Sequence, residues 1–283
     1  MRLKTIAAVQ FCISITLVIG SCNNSSTYYS TEKIEQSENI TKFEAVGLNY
    51  LPTATYNDIV QHKFYTLSYA EKYEQSEWVA YQLKSKTIQN TNFDRPFFIE
   101  DNLVKTGSAD WKNYKNSGYD KGHLCPAGDM KFSENAFKDT FYTSNISPQK
   151  HDFNCGIWNN LEHKVRYWSE KYNGLYVITG PVLTNDLETI GKENVAVPNY
   201  FYKILLTTAQ KETKMIAFLV PSTDSPKPLS SFVVAVDNIE KITGIDFFSS
   251  LPDATENQLE KNNSYKDWSF DAKLILIAEQ RTA

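Results

Sequence analysis

The stretch YDKGHLCPAGDM, residues 119–130, places one histidine, two carboxylates, a lysine and two glycines within twelve positions. Glycines permit close approach of the backbone or unusual dihedral angles. An imidazole titrates near neutral pH, so His123 can accept a proton from a water molecule. The stretch therefore predicts a catalytic site centred on His123, while Asp120 and Asp129 suit holding the loop more than binding a metal.

A second informative stretch, FNCGIWNNLE, covers residues 153–162 and opens the clearest helix, predicted from Cys155 to Tyr172. Apolar residues recur there every three or four positions. On one continuous helix, Asn154 and Glu162 would lie about 80° apart, so one site could contact both. Two structural alternatives stay open: Asn154 as a helix N-cap, and Glu162 with Arg166 as a surface ion pair.

Short runs rich in Tyr, Phe, Val and Ile predict strands. They lie at 64–69, 78–83, 175–179, 201–206, 215–220 and 232–236, the fourth and fifth forming a hairpin. A shorter helix is predicted over 133–140. Many strands with few helices, without strict alternation, indicate an α+β fold with a mostly antiparallel central sheet flanked by helices.

Taken in series, these motifs resemble the DNA/RNA non-specific endonucleases of the endonuclease G type, which have the ββα-metal (His-Me finger) fold. The matching segments are 120–123, 126–129, 144–149, 153–162, 178–181, 197–198, 217–221 and 243–248. They span roughly residues 60–260, and several ordered motifs are far more specific than one tetrapeptide. The resemblance implies a ββα-metal core at the active site and hydrolysis of phosphodiester bonds in DNA and RNA.

The resemblance also implies a base and a metal site. His123 takes the place of the general base that activates water. Asn154 takes the place of the direct protein ligand of Mg²⁺, for which Mn²⁺ or another divalent cation could substitute, and Glu162 orders the waters of that ion. A neutral asparagine ligand leaves the charge of the metal almost unquenched, which suits a polyanionic substrate. For His62, His151 and His163 a structural role is expected instead.

Further implied roles concern phosphate contacts. Asn145 helps to orient His123 or the phosphate, Arg95 contacts phosphate, and Arg166 adds positive charge from the helix. Lys121 stands where the family has an arginine. Lysine keeps the positive charge but lacks the bidentate fork of a guanidinium. This departure lends weight to an alternative, a catalytically silent nuclease-like lipoprotein that binds polyanions; a phosphodiesterase acting on small nucleotides is a third hypothesis.

Charge sets limits on the substrate contacts. The 283 residues carry 29 Lys and Arg against 33 Asp and Glu, a net charge of −4, which excludes a uniformly basic nucleic-acid coat. Between Lys105 and Lys171, ten basic residues exceed eight acidic ones, whereas from Val220 to the C-terminus six face ten. No base-reading motif is present, so we expect backbone contacts with little sequence preference.

Cys125 and Cys155 flank the two catalytic motifs that the resemblance brings to one metal. An exported protein can keep a disulfide. We therefore predict that the two cysteines pair and join the strand of the general base to the metal helix; two buried free thiols are the alternative.

The N-terminus predicts export. Arg2 and Lys4 precede an apolar run that ends at Cys22, which indicates a lipoprotein signal peptide over residues 1–21 with acylation of Cys22; an ordinary cleaved signal is the alternative. Residues 22–50 are predicted to form a flexible tether, and 51–283 the endonuclease domain. We expect a periplasmic or cell-surface protein held at the membrane by its lipid anchor.

Overall fold

The computed structural model describes residues 49–89, 91–208 and 213–270. The predicted leader, Cys22 and nearly all of the predicted tether lie outside these residues. No helix in the described ranges is sufficiently long and apolar to cross a bilayer.

A seven-stranded sheet forms the centre of the fold. Its strands are β1 (Asp58–Gln61), β2 (Thr66–Ala70), β3 (Gln75–Leu83), β6 (Leu175–Pro181), β9 (Tyr200–Thr207), β10 (Lys214–Pro221) and β11 (Val233–Val234). They are adjacent in that order, and every neighbouring pair is antiparallel. Long apolar runs form these strands because the central ones are covered on both faces.

Two small hairpins lie outside the central sheet. Strands β4 (Asp120–His123) and β5 (Ile146–Gln149) pair antiparallel, with Asp120 opposite Gln149 and His123 opposite Ile146. Strands β7 (Thr189–Ile190) and β8 (Val195–Ala196) form the other hairpin.

The helices are short apart from one. They are α1 (Glu134–Asp139), α2 (His151–Phe153), α3 (Asn159–Lys171), α4 (Val236–Thr243) and α5 (Asp253–Glu260). A π-helical turn, Asn154–Trp158, joins α2 to α3. The chain therefore runs from β4 through β5 into a kinked helical segment, which gives the ββα order that the sequence implied.

Gly156 causes the kink. Its dihedral angles, φ −94° and ψ −113°, are not helical. The Asp224 side chain occupies the place that a Cβ at Gly156 would take, and its Oδ1 accepts a hydrogen bond from the backbone N–H of Ile157 at 3.0 Å. Asp224 thus satisfies a backbone donor where the regular helix ladder is interrupted.

The apolar stripe of α3 packs on the central sheet. Leu161, Val165 and Trp168 are all buried in one hydrophobic cluster with residues from β2, β3, β6, β9 and β10. The Trp168 ring lies 6.1 Å from that of Phe218 and 5.0 Å from that of Trp268, and its indole N–H donates to the carbonyl of Ser269 at 2.8 Å. The 3.6-residue spacing read from the sequence therefore identifies the packing face of this helix.

The structure confirms the α+β class and the mostly antiparallel sheet. The hairpin predicted from 201–206 and 215–220 is formed by β9 and β10. Two boundaries differ. The helix predicted from Cys155 becomes regular only at Asn159, because Gly156 interrupts it, and the strand predicted over 232–236 is reduced to Val233–Val234, with α4 beginning at Val236.

Replacing Trp168 with alanine should lower the free energy of unfolding by about 3–5 kcal/mol, because a large cavity would remain in the core. Trp111, which is 39% exposed, provides a matched control, and Trp111→Ala should cost much less. Urea unfolding followed by circular dichroism measures both. Similar losses in the two variants would contradict the packing described for α3.

Candidate active site

His123 lies at the end of β4 against two aromatic rings. Its ring centroid is 5.4 Å from that of Phe98 and 5.0 Å from that of Phe141. Burial, together with the nearby positive charge of Arg95, lowers the pKa of His123 to about 3. The imidazole is therefore neutral at neutral pH. Its Nε2 is buried and has no hydrogen-bond partner in the described part of the chain, which is unusual for a structural histidine.

Two cations flank the same aromatic pair. The Arg95 guanidinium lies 5.8 Å from the centre of the Phe98 ring and 5.5 Å from that of Phe141. The Lys121 ammonium lies 5.5 Å from the centre of the Phe98 ring. Lys121 and His123 are two residues apart on β4, so they share one face of the strand. The structure thus brings together the predicted base and two of the predicted phosphate contacts.

An open cleft of about 550 Å³ begins beside these cations. Arg95, Phe97, Phe98, Trp111 and Lys121 line it together with the intervening proline. Phe97 is 92% exposed, so a large apolar ring faces solvent at the rim. Positive charge combined with exposed aromatic faces is the combination that binds nucleic-acid backbones and stacks on bases.

Asn145 holds the backbone that follows His123. Its Oδ1 accepts from the N–H of Cys125 at 2.8 Å, and its Nδ2 donates to the carbonyls of Cys125 and Thr140 at 3.0 and 2.9 Å. The residue is fully buried, and both amide hydrogens are used. Of the two predicted roles, orienting His123 or orienting the phosphate, these contacts favour the first, and they act on His123 through the main chain.

Asn154 contacts β4 through Asp120. Its Nδ2 donates to Oδ2 of Asp120 at 3.0 Å, and the same oxygen pairs with Nδ1 of His151 at 2.9 Å. The Asn154 backbone is helical, with φ −61° and ψ −46°; Lys150 occupies the N-cap position of α2, and its carbonyl accepts from the N–H of Asn154 at 2.9 Å. The N-cap alternative is therefore excluded. Within the described ranges no residue donates a hydrogen bond to Oδ1 of Asn154, which leaves this oxygen for a cation.

The surroundings of Asn154 suit a metal ion in two ways. Asp120 supplies a carboxylate, and one ligand atom each of Asp120, His151 and Cys155 lie within 4.8 Å of one another. Only structural roles were expected for Asp120 and His151, yet both lie beside Asn154 at the predicted metal site. The four-residue spacing of His151 and Cys155 was the available signal, because such residues share one helical face.

The predicted disulfide does not form. Cys125 and Cys155 are both free, the first buried and the second exposed. Cys125 packs in the hydrophobic core, whereas the π-helical turn directs Cys155 toward His151, with Sγ 3.8 Å from both ring nitrogens. The alternative of two buried thiols holds for Cys125 alone.

Glu162 and Arg166 do not form the surface ion pair considered above. Nη1 of Arg166 binds Oδ1 of Asp129 at 2.8 Å, and Oδ2 of Asp129 accepts from the Tyr81 hydroxyl at 2.7 Å. The positive charge predicted from Arg166 is therefore offset by Asp129, which is itself buried. Arg166 therefore links α3 to the turn that follows β4, and its charge is less available to attract phosphate.

Burial raises the pKa of Glu162 to about 7, although the charges of Lys203 and Arg166 oppose the rise. The carboxyl therefore lies near its titration midpoint at neutral pH and can hold or release a proton. The 80° estimate for Asn154 and Glu162 assumed one continuous helix and is wrong, because the non-helical Gly156 lies between them and changes their relative orientation.

Lys203 was not predicted as part of the site. It lies on β9, is almost fully buried, and its Nζ is 4.8 Å from the centre of the Trp158 ring. Burial lowers the pKa of this amine, while the Glu162 carboxylate raises it. A lysine inside the apolar run 201–206 was the one signal in the sequence, since lysine is rarely buried without a charged partner.

Three groups of side chains result. His123, Arg95 and Lys121 form the first; Asp120 and Asn154 belong to the second. Asp120 and His123 are the two ends of β4, so their Cα atoms are about 10 Å apart. The third group comprises Glu162, Arg166, Asp129 and Lys203, and α3 connects it to the second.

Comparisons with known proteins find similar nucleases. The model of the DNA/RNA non-specific endonuclease family covers residues 45–254. Mitochondrial nuclease EXOG of Danio rerio is 35% identical over 211 residues, which are 68% of this chain and 62% of that protein. Human mitochondrial endonuclease G is 32% identical over 202 residues, 66% of this chain and 68% of that protein.

Two further relatives cover more of their own length. Nuclease C1 of Cunninghamella echinulata var. echinulata is 33% identical over 244 residues, 79% of this chain and 92% of that protein. The crystal structure of an EndoG/EndoGI complex superposes with a TM-score of 0.66 at 27% identity, covering 80% of this chain and 95% of the matched one.

Replacing Asn145 with aspartate should destabilise the fold by about 2–4 kcal/mol, because the carbonyls of Cys125 and Thr140 would lose their donors inside the protein. Asn160→Asp is the same chemical change at an exposed helical position and should alter stability by about 0.5 kcal/mol or less. Urea unfolding compares them. Equal stability of the two variants would show that Asn145 does not hold this backbone.

Proposed function

Because this chain belongs to the DNA/RNA non-specific endonuclease family, we propose that it hydrolyses phosphodiester bonds of DNA and RNA with His123 as the general base. The observation that carries the proposal is the neutral imidazole of His123, whose Nε2 is unpaired beside Arg95 and Lys121. A buried histidine without a hydrogen-bond partner is costly to keep for stability alone. The imidazole, Arg95 and Lys121 all lie against the Phe98 ring, and both cations line the open cleft, so a phosphate bound there would lie near the base.

The electrostatics favour proton uptake once substrate binds. In the free protein, burial and Arg95 disfavour the imidazolium. A phosphodiester bound at Arg95 and Lys121 brings a negative charge that offsets the repulsion from the guanidinium and raises the pKa of His123. The base is therefore neutral before binding, and it becomes a better proton acceptor in the complex. The imidazole accepts the proton of the attacking water.

Nucleases of this family depend on a divalent metal ion, and for this chain we propose Mg²⁺, with Mn²⁺ or another divalent cation able to replace it. The residues fit such an ion: Oδ1 of Asn154 would hold it, and Asp120 fixes the orientation of the amide by accepting from Nδ2. Glu162 would order the surrounding waters. When bound, the ion supplies positive charge to the phosphate oxygens and the leaving alkoxide.

Backbone contacts account for the proposed breadth of substrate. Arg95 and Lys121 bind phosphate, while Phe97 and Trp111 offer ring faces on which any base can stack. Neither contact reads a base edge or the 2′-hydroxyl, so DNA and RNA are both accepted. Lys121 offers a point charge in place of a bidentate fork, so its contact with phosphate is less directional than that of Arg95.

We further propose that residues 1–21 direct export, that Cys22 is acylated, and that residues 22–50 tether the nuclease domain to the membrane at the periplasmic or cell-surface side. The basic start and the apolar run ending at Cys22 support this. Cells that express the full chain should incorporate radioactive palmitate into it. Persistence of the label in Cys22→Ser would contradict acylation at Cys22.

Replacing His123 with alanine should lower the turnover of plasmid DNA and of RNA by about 10²- to 10⁴-fold, since the general base is lost. His163→Ala, an exposed change of the same type, should retain activity. Cleavage in Mg²⁺ is followed by gel electrophoresis, and unfolding curves show that both variants fold. Substantial cleavage by His123→Ala would refute the assignment of the base.

The same assay separates the alternatives. Binding of wild-type protein to DNA and RNA without cleavage in Mg²⁺ or Mn²⁺ would indicate a silent polyanion binder. Equal turnover of dinucleotides and polymers would indicate a phosphodiesterase of small nucleotides. The proposed endonuclease cleaves closed circular plasmid, and EDTA abolishes the cleavage.

Replacing Asn154 with alanine should raise the Mg²⁺ concentration needed for half-maximal cleavage by at least about tenfold, because the protein oxygen on the ion is lost. Asn160→Ala, on the exposed side of α3, is the control and should leave the metal dependence unchanged. Cleavage rates are measured across a Mg²⁺ titration. An unaltered titration curve for Asn154→Ala would place the metal elsewhere.

A further inference from the structure

We propose that Asp237, Glu240 and Glu260 form a calcium-binding site between α4 and α5, separate from the nuclease centre. Asp237 and Glu240 are three residues apart on α4 and therefore share one helical face. Glu260 is the last residue of α5. One carboxylate oxygen of each of these residues lies within 4.8 Å of those of the other two.

Glu260 points into this cluster without a partner. Its residue surface is only 6% exposed, and its Oε1 is buried and accepts no hydrogen bond. Oε1 of Glu256, one turn earlier on α5, is in the same state. A buried carboxylate oxygen without a partner is strongly unfavourable. The C-terminal end of a helix adds to the cost, because its exposed carbonyls also carry negative charge.

The described residues supply no compensating cation at this cluster. Among the residues that the structure describes, no lysine or arginine forms a salt bridge with Asp237, Glu240 or Glu260. Lys261, the next residue after Glu260, reaches Oδ1 of Asn257 at 3.5 Å instead. The 64 residues from Val220 onward carry ten acidic and six basic side chains, so the excess of negative charge is a regional feature.

The pKa values of Glu240, Glu256 and Glu260 are raised, which agrees with an uncompensated excess of negative charge. Burial, together with the neighbouring charges of Glu240, Glu256, Asp237 and Asp246, raises the pKa of Glu260 to about 8. Burial likewise raises the pKa of Glu256 to about 7. Every charged neighbour that shifts Glu260 is an acid. A bound divalent cation would remove this repulsion and allow all the carboxylates to ionise.

The donor set favours calcium. All the donors are carboxylate oxygens, which hard cations prefer, and the cluster offers no nitrogen or sulfur for a softer metal. Calcium accepts several carboxylate oxygens in a flexible geometry, whereas Mg²⁺ needs near-ideal octahedral geometry and usually keeps several waters. Three carboxylates, one of them on the buried Glu260, therefore suit calcium better than Mg²⁺.

A calcium ion at this position would stabilise the end of the fold that α4 and α5 cover. Oε1 of Glu240 already accepts from the N–H of Phe247 at 2.9 Å, which leaves its other oxygen for the ion. The Phe247 ring packs 5.5 Å from that of Tyr202 on β9. Calcium would thereby connect α5 to the loop that packs on the central sheet, so the measurable effect is on stability.

The test measures calcium binding and thermal unfolding in the full chain carrying Asn154→Ala. This substitution disables the proposed catalytic metal site, so any calcium response reports on the α4–α5 cluster, and the result does not depend on whether the proposed nuclease function is correct. After removal of metals with EDTA, calcium at a hundred times its Kd should raise Tm by about 5–10 °C. Isothermal titration calorimetry gives the Kd and the stoichiometry. Glu260→Gln should lose both the heat and the rise in Tm.

Glu170→Gln removes one negative charge from an exposed position on α3 and should keep the full calcium response. If Glu260→Gln fails to fold, Asp237→Asn replaces it, with the same expected loss. Absence of heat and of any Tm shift in the parent chain would overturn the proposal, as would a response that survives Glu260→Gln. An equal response to Mg²⁺ at the same concentration would overturn the assignment to calcium.

Discussion

The carboxylate of Asp120 is the contact on which the arrangement of the site depends. One oxygen accepts from Nδ2 of Asn154 and pairs with Nδ1 of His151, so it holds the start of the helical segment against β4. His123 is at the other end of the same four-residue strand. One short strand therefore carries the proposed base at one end and, through the shared acceptor, anchors the proposed metal ligand at the other.

Buried hydrogen bonds also hold the segment that follows His123. Asn145 uses its whole amide on the backbone of Cys125 and Thr140, and Arg166 with Tyr81 fixes Asp129 in the turn that follows. These are buried hydrogen bonds, several of them to charged groups, and such bonds are costly to break. The strand that carries His123 is thus held at both of its ends without any covalent crosslink between Cys125 and Cys155.

The ionisation states around the site differ because their surroundings differ. His123 lies among aromatic rings beside a guanidinium and stays neutral. Glu162 is half-buried near Lys203 and Arg166, and its pKa rises to about 7 because the loss of solvent around the carboxyl outweighs the two cations. A neutral base and a carboxyl near its midpoint are available at the same pH. This separation of roles arises from packing, because in water the two groups would titrate in the opposite order.

The sequence by itself determined the α+β class, the sheet strands with their antiparallel hairpin, the packing face of α3, and the candidate base His123. Each depends on local periodicity or on one dense motif, which short-range physical chemistry controls. Only the tertiary structure decided which partners the polar groups take. Asp224 reaches Gly156 from sixty-eight residues away in the chain and interrupts the helix, which changes the relation between Asn154 and Glu162. Arg166 pairs with Asp129 and not with Glu162. Lys203 lies in the core against the Trp158 ring, and Cys155 lies at the surface beside His151. Most of these contacts join residues that are distant in the sequence. They depend on burial and on the charges that packing brings together, which a local sequence pattern does not contain.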